Sequence, residues 1–337
     1  MMAIQPLPRR RYSTCRIATR RALGLLFSLL LAAALLIVLA GTPATALGAE
    51  REPFLPQVFR AGFLATIYHD IDRHDAQAAT ELLAREISRN MGLATSPRVV
   101  IFQQQEAMVA AIRRGELDMV SMPTLDYLRI RKAVPLIPAV VGSHNGGRGT
   151  SYSLIVRRDS GLKKLADLKG RSLLQLPSTK HEPSQLWLEL LLAKSAAGQP
   201  RTFFSTIKDT QKTSQAIMAV FFKQADAAIV TLAAFDTSRA LNPQLGRELS
   251  IIAQSDYFSD GITCFPESLP SSTRAIISAA ISNLNVTTTG RQLYTIFQTS
   301  GTTPFKPAFL EGLEKLLQER SQLRFSATKR KYHGTIH

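Results

Sequence analysis

Two cysteines are all that the 337 residues contain, Cys15 and Cys264. Cys15 lies within a segment expected to be removed, which leaves Cys264 alone. An intramolecular disulfide is thereby excluded, and stability has to come from packing. Catalytic signatures are missing too: there is no Gly-x-Ser-x-Gly elbow, no His-Glu-x-x-His pair, no Walker-type or dinucleotide glycine loop and no zinc spacing. Nothing places a nucleophile beside a base, which argues against a hydrolase, and the chain carries no motif for powering transport by itself.

Acidic residues are absent from the first 49 positions, while Arg9, Arg10, Arg11, Arg16, Arg20 and Arg21 stand there. They precede the apolar run Ala22 to Ala40 and the small-residue segment GTPATALGA, the layout of an export signal. Ala44 and Ala46 have the spacing a signal peptidase reads, and Pro43 breaks a helix just upstream. Residues 1–46 are therefore expected to be a signal peptide; the alternative is an uncleaved membrane anchor. Either way the rest of the chain is expected outside the cytoplasm, in the periplasm. Arg20-Arg21 faintly resembles a twin-arginine signal, but the apolar stretch after it favours the general secretory route. Cys15 precedes the run and is not placed like a lipoprotein cysteine.

The sequence pI of about 10.2 suggests nucleic acid at first sight. Yet six of the 41 basic residues stand in the first 46 positions, leaving 35 basic against 25 acidic residues and a net charge of +10. Some of that excess belongs to the tail Arg324, Lys329, Arg330 and Lys331. With no basic stripe interleaved with aromatics, a nucleic-acid partner is not expected; a field that steers small anions is.

Strand-like and helix-like segments alternate. Ala61 to Tyr68 and Arg98 to Phe102 read as strands, Gln77 to Met91 and Gln105 to Arg114 as helices, Asp118 to Ser121 as a further strand. After the turn-rich joint His144 to Gly149 the rhythm resumes. Tyr152 to Arg157, Ser172 to Leu176 and Ala227 to Val230 read as strands; Leu165 to Leu168, Pro183 to Ala196 and Ser214 to Lys223 as helices. Repeated β-α-β units predict parallel sheets covered by helices, in two lobes with a cleft between them.

Three stretches, in chain order, resemble a known family: Gly115-Glu116-Leu117-Asp118 with Tyr127 following, Asp159-Ser160-Gly161-Leu162 followed by Leu165-Ala166-Asp167-Leu168-Lys169-Gly170-Arg171, and Ala225-Asp226-Ala227-Ala228. They are similar to the periplasmic solute-binding proteins of phosphate, phosphite and phosphonate ABC importers, over roughly Gln57 to Leu317. The resemblance implies an α/β, type II periplasmic binding protein fold, each lobe a mostly parallel sheet flanked by helices. It also implies two interlobe crossings, near Ser151 to Ser153 and Gly261 to Cys264. Lobe I would comprise residues 57–152 plus 262–337, and lobe II residues 153–261. The implied partners are a small anionic ligand and a separate membrane permease and ATPase. A monomer is expected, without cofactor or enzymatic activity. The same cleft and hinge would equally serve a ligand-binding sensor feeding a membrane receptor or kinase; a metal-dependent or hydrolytic enzyme is the less favoured alternative.

In open sheets ligands sit beyond the carboxyl ends of strands, where helix N-termini present N–H donors. After the strand ending at Leu176 come Ser178, Thr179, Lys180 and His181, with Pro183 suited to a first helical turn. Hydroxyls, amides and the Lys180 charge would hold an oxyanion. In phosphonate-binding relatives this loop reads Ser-Thr-Ser-Gly; here Lys180-His181 replaces Ser-Gly, and Glu182 would oppose a dianion. The competing role for Ser178 and Thr179 is helix capping alone. Tyr68, Thr124, Tyr127 and Thr231 complete the expected ligand-binding set, with ordinary packing the alternative for each tyrosine. The run His69-Asp70-Ile71-Asp72-Arg73-His74-Asp75 has the residue types of a divalent-metal site, but capping and solvation account for such a strand-to-helix link and no metal is assigned.

Overall fold

The computed structural model describes residues 55–333 apart from 69–72, 95 and 298, with the side chains of 73, 145, 147, 180 and 324–333 outside the description. The export segment and most of the His69–Asp75 run therefore lie outside the described residues.

The chain begins with β1 (Arg60–Leu64), α1 (Arg73–Asn90), β2 (Arg98–Phe102), α2 (Gln105–Arg113), β3 (Met119–Pro123), α3 (Thr124–Ile130) and β4 (Leu136–Gly142). It then passes to β5 (Tyr152–Arg157), β6 (Ser172–Gln175), α4 (Ser178–Lys194), α5 (Pro200–Phe203), β7 (Thr206–Asp209), α6 (Thr213–Phe221), β8 (Ala227–Thr231), α7 (Leu232–Leu241), α8 (Pro243–Glu248) and β9 (Leu249–Gln254). It ends with β10 (Gly261–Pro266), α9 (Ser271–Leu284), α10 (Thr288–Ile296), β11 (Thr302–Pro304) and α11 (Glu311–His333). The strands form two sheets, ordered β11-β4-β10-β3-β1-β2 and β7-β6-β8-β5-β9. Strand β1 ends at Leu64, short of the expected Tyr68, because Ala65–Ile67 turns into a 3₁₀ helix.

Each sheet is buried on both faces, and the period-2 alternation of a strand sorts its side chains between two cores. In β1, Ala61 and Phe63 meet α1 and α9, while Leu64 joins the α2 side. In β8, Ala227 and Ile229 face α4; Ala228 and Val230 face α6. A Leu, Ile or Phe buried in this way contributes about 1.5–3 kcal/mol. Helix α4 is apolar nearly all round, with Leu186, Trp187, Leu188, Leu190 and Leu192 buried, because its other side meets Leu313 and Leu316 of α11. The lobe division expected from the sequence assigned everything after residue 262 to the first lobe. Helix α11 instead runs beside α4 of the second, joined to it by Arg320–Glu189 and Lys194–Glu319 ion pairs at 2.5 and 2.8 Å.

Two motif aspartates have structural work in corresponding places. Asp118, just before β3, accepts from the Arg60 backbone N–H at 2.8 Å and pairs with the Arg60 guanidinium, pinning the start of β1. Asp226, just before β8, accepts from the N–H and Oγ of Ser172 at 2.9 and 2.7 Å, pinning the start of β6. Each follows a left-handed residue three positions earlier, Gly115 and Lys223, that ends the preceding helix.

The chain leaves the first sheet after β4 and returns at β10. Both strands that follow a crossing run against their neighbours: Tyr152, the first residue of β5, pairs with Thr231, the last of β8, and Gly261 of β10 pairs with Pro123 of β3. The reason is geometric. A strand arriving from the other lobe starts at the cleft, where the parallel strands end. The two linkers pair with each other as well, Thr150 and Phe258 exchanging both backbone hydrogen bonds at 2.8 Å. Ser151 Oγ donates to the Ser255 carbonyl at 3.0 Å, and Ser255 Oγ accepts from the Tyr152 N–H at 2.9 Å. The crossings thus lie just upstream of the expected positions, in residues 143–151 and 255–260.

This linker pairing requires Gly149, whose φ is +87° and whose Cβ, if present, would stand 2.0 Å from the Phe258 carbonyl oxygen. Gly146 is also left-handed, at φ +68°, but faces open space. Gly146→Ala is expected to cost about 1 kcal/mol for the backbone conformation alone. Gly149→Ala is expected to cost about 2 kcal/mol more, because the linkers must part. Urea unfolding midpoints check this, and equal losses would refute the linker argument.

Candidate functional site

The carboxyl ends of the strands converge on one cavity of about 670 Å³ between the sheets. On the second-lobe side, β6, β7 and β8 each lead into a helix, and Ser178 and Thr179 of α4, Thr213 of α6, and Thr231 with Leu232 and Ala233 at the start of α7 all line the cavity. Three helix N-termini and four hydroxyl side chains therefore face one space, a donor-rich and electropositive wall. Thr231 also caps α7, accepting from the Ala234 N–H at 3.4 Å. Helix α4 is interrupted at His181, whose backbone (φ −131°, ψ 43°) is not helical, and the helix resumes at Glu182 and Pro183. The Lys180 side chain lies outside the described residues.

The first-lobe wall is more apolar. Tyr68 lines the cavity, but its hydroxyl is bonded to Thr80 Oγ1 at 2.6 Å and its ring stands against Phe63 and Phe297. Burial pushes the Tyr68 phenol well up, so it stays protonated. Of the expected set, Tyr68, Ser178, Thr179, His181 and Thr231 border the cavity. Thr124 and Tyr127 do not: Thr124 is fully buried with its hydroxyl directed to Ser259 Oγ at 3.3 Å, and Tyr127 belongs to the hydrophobic core. Helix α3 starts directly at the strand end, which turns Leu125, Asp126 and Arg129 rather than Tyr127 toward the cavity.

At the hinge, Tyr152 shares a hydrogen bond with His181 Nδ1 at 3.1 Å and meets the imidazole edge to face. Complete burial, reinforced by the Asp260 charge, holds its phenol far above the usual range, so the Tyr152 hydroxyl remains neutral. Asp260 in turn pairs with His144 at 3.1 Å. Asp236 pairs with Arg239 at 2.9 Å. Arg129 forks onto Glu182 at 2.5 and 3.1 Å and reaches Asp126 at 3.1 Å. Burial pushes the Asp126 carboxyl upward against the pull of Arg129, and the Glu182 contact holds Arg129 firmly charged. The opposition to an anion expected from Glu182 is thus offset by a bidentate guanidinium. Among the described residues no group of three or more His, Cys, Asp or Glu side chains is placed to hold a metal, and no helix is long and apolar enough to cross a membrane.

Thr213 was missed because the short polar strand β7, Thr-Ile-Lys-Asp, carries no hydrophobic signal; the strand-end rule that found Ser178 applies to it once β7 is known. Arg129 and Tyr152 carry no local sign, since Arg129 meets Glu182 only across the folded cleft and Tyr152 meets His181 only when the second lobe has folded.

Two helix-flanked sheets, double crossings and a cleft rich in helix N-termini define a two-lobe α/β binding protein of the type II periplasmic class. Residues 66–310 match the family described as ABC transporter, phosphonate, periplasmic substrate-binding protein, and the chain belongs to that family. Its members are extracytoplasmic components that bind a small ligand and work with an ABC permease and ATPase. The chain is similar to XAC2383 from Xanthomonas citri bound to chloride ion, with TM-score 0.57 and 16% identity over 80% of this chain and 100% of that one. It is also similar to PhnD1 from Prochlorococcus marinus in complex with methylphosphonate, with TM-score 0.53 and 15% identity over 79% of this chain and 99% of that one. At such identities the likeness speaks for the fold. No curated protein matches the sequence.

Because the Tyr68 hydroxyl is committed to Thr80, Tyr68→Phe is expected to lower stability by about 1 kcal/mol. It should leave ligand affinity unchanged. Chemical denaturation and calorimetric titration check the two halves separately.

Proposed function

We propose that this importer component takes a phosphorus oxyanion bearing a small organic substituent. The observation that supports this most is the meeting of Ser178, Thr179, Thr213 and Thr231 with three helix starts in one cavity. Neutral donors of this kind bind an oxyanion by direct hydrogen bonds and by the positive end of each helix, without a pool of free cations. The cavity falls within the range of about 300–1,000 Å³ usual for small organic ligands, more than a bare phosphate fills. The apolar side of Tyr68, Tyr294 and Phe297 offers a place for the substituent. In this proposal the first 46 residues direct export, the lobes close about the paired linkers when ligand enters, and the ligand leaves chemically unchanged. The chain acts as a monomer and has no nucleic-acid partner.

Ligand held only by the folded state raises the melting temperature. Methylphosphonate and longer alkylphosphonates are expected to stabilise the mature chain more than phosphate, phosphite or sulfate does. Joint replacement Ser178→Ala and Thr179→Ala is expected to weaken binding by about tenfold or more, which is about 1.4 kcal/mol per tenfold. Stabilisation by carboxylates or divalent metals alone, or a double variant that binds like the wild type, would contradict the assignment.

A further inference from the structure

Arg129 stands on α3 of the first lobe, and Glu182 stands 53 residues later in the interrupted start of α4 that carries Ser178 and Thr179 on the second. Their bidentate contact spans the cavity, which both residues line. On its own side Arg129 is steadied by Asp126, whose other oxygen accepts from Thr66 Oγ1 at 3.2 Å. The guanidinium is therefore aimed by first-lobe groups at a carboxylate of the opposite lobe. Both partners belong to this chain, so the contact needs no ligand to form. No feature of the established family role assigns it.

We infer that Arg129 is a positioning residue for binding: it clamps the oxyanion loop through Glu182 and holds the two lobes together before ligand arrives. A clamp of this kind raises the fraction of the receptor that is competent to bind, and apparent affinity rises with that fraction. Fork-to-carboxylate geometry makes lysine a poor substitute. Because both side chains are two-fifths exposed, salt should weaken the clamp.

Single variants alter the charge near the bound anion as well as the clamp, so the decisive variant is Arg129→Gln with Glu182→Gln, which removes one charge of each sign. Small-angle scattering of the mature chain without ligand is expected to show a larger radius of gyration for the double variant than for the wild type. Raised salt should expand the wild type but not the variant. In calorimetric titration with methylphosphonate the double variant is expected to bind about threefold to tenfold more weakly, with Arg129→Lys failing to match the wild type. Identical scattering of the two proteins at low salt overturns the inference whatever the titration shows. Equal affinity with altered scattering also overturns it, since the clamp then does not position the loop for binding. The inference rests on the proposed oxyanion site only in its titration arm. A wild type that binds no phosphonate sinks that proposal, while scattering still decides whether the clamp exists.

Discussion

Everything about the cleft depends on the antiparallel pairing of Thr150 with Phe258, where the two crossing linkers exchange their backbone hydrogen bonds. Because the linkers meet there, each strand that follows, β5 or β10, starts at the cleft and runs against the parallel strands that end at it. The same constraint places the starts of α4, α6 and α7 at the cleft. Hydroxyls and backbone donors then gather at one cavity as a consequence of connectivity, before any residue is chosen for a ligand. Gly149 is the residue that lets the linkers approach, which ties a single backbone conformation to the geometry of the whole cleft.

In the proposed binding mode the cleft meets an anion with dipoles more than with formal charge. Asp126, Glu182, Asp236 and Asp260 all border the cavity; Arg129 is shared by the first two, Arg239 pairs with Asp236, and Asp260 lies beside His144. The two arginines reduce the acidic charge facing the cavity, and Ser178, Thr179 and Thr213 also face it. The high overall basicity of the chain adds a long-range attraction that salt would screen, and it is not what shapes the site.

Much of this was legible in the sequence. Apolar runs such as Arg98–Phe102 and Tyr152–Arg157 form strands with the expected bounds, because buried strands announce themselves by composition. Strand-end logic led to Ser178, Thr179, His181 and Thr231. It misplaced Thr124 and Tyr127, since the sequence does not show how abruptly α3 follows β3 and so which face of the helix turns to the cavity. The swing of α11 onto α4 was invisible as well. The all-round apolar character of Gln185–Lys194 was the one hint that α4 needed a second partner beyond its sheet. Contacts between segments far apart in the chain, Arg129 to Glu182 across the cleft and Tyr152 to His181 within the second lobe, have no local signature at all.

The central claim is that the starts of α4, α6 and α7 form the ligand wall. Amide hydrogen exchange of the mature chain with and without methylphosphonate tests it most directly, because slowed exchange reports which N–H groups become protected. Protection is predicted at the amides opening α4, α6 and α7 and at the paired linkers, with the outer ends of both sheets unchanged. Binding that leaves those helix starts unprotected, or protects a surface away from the cleft, would contradict the account.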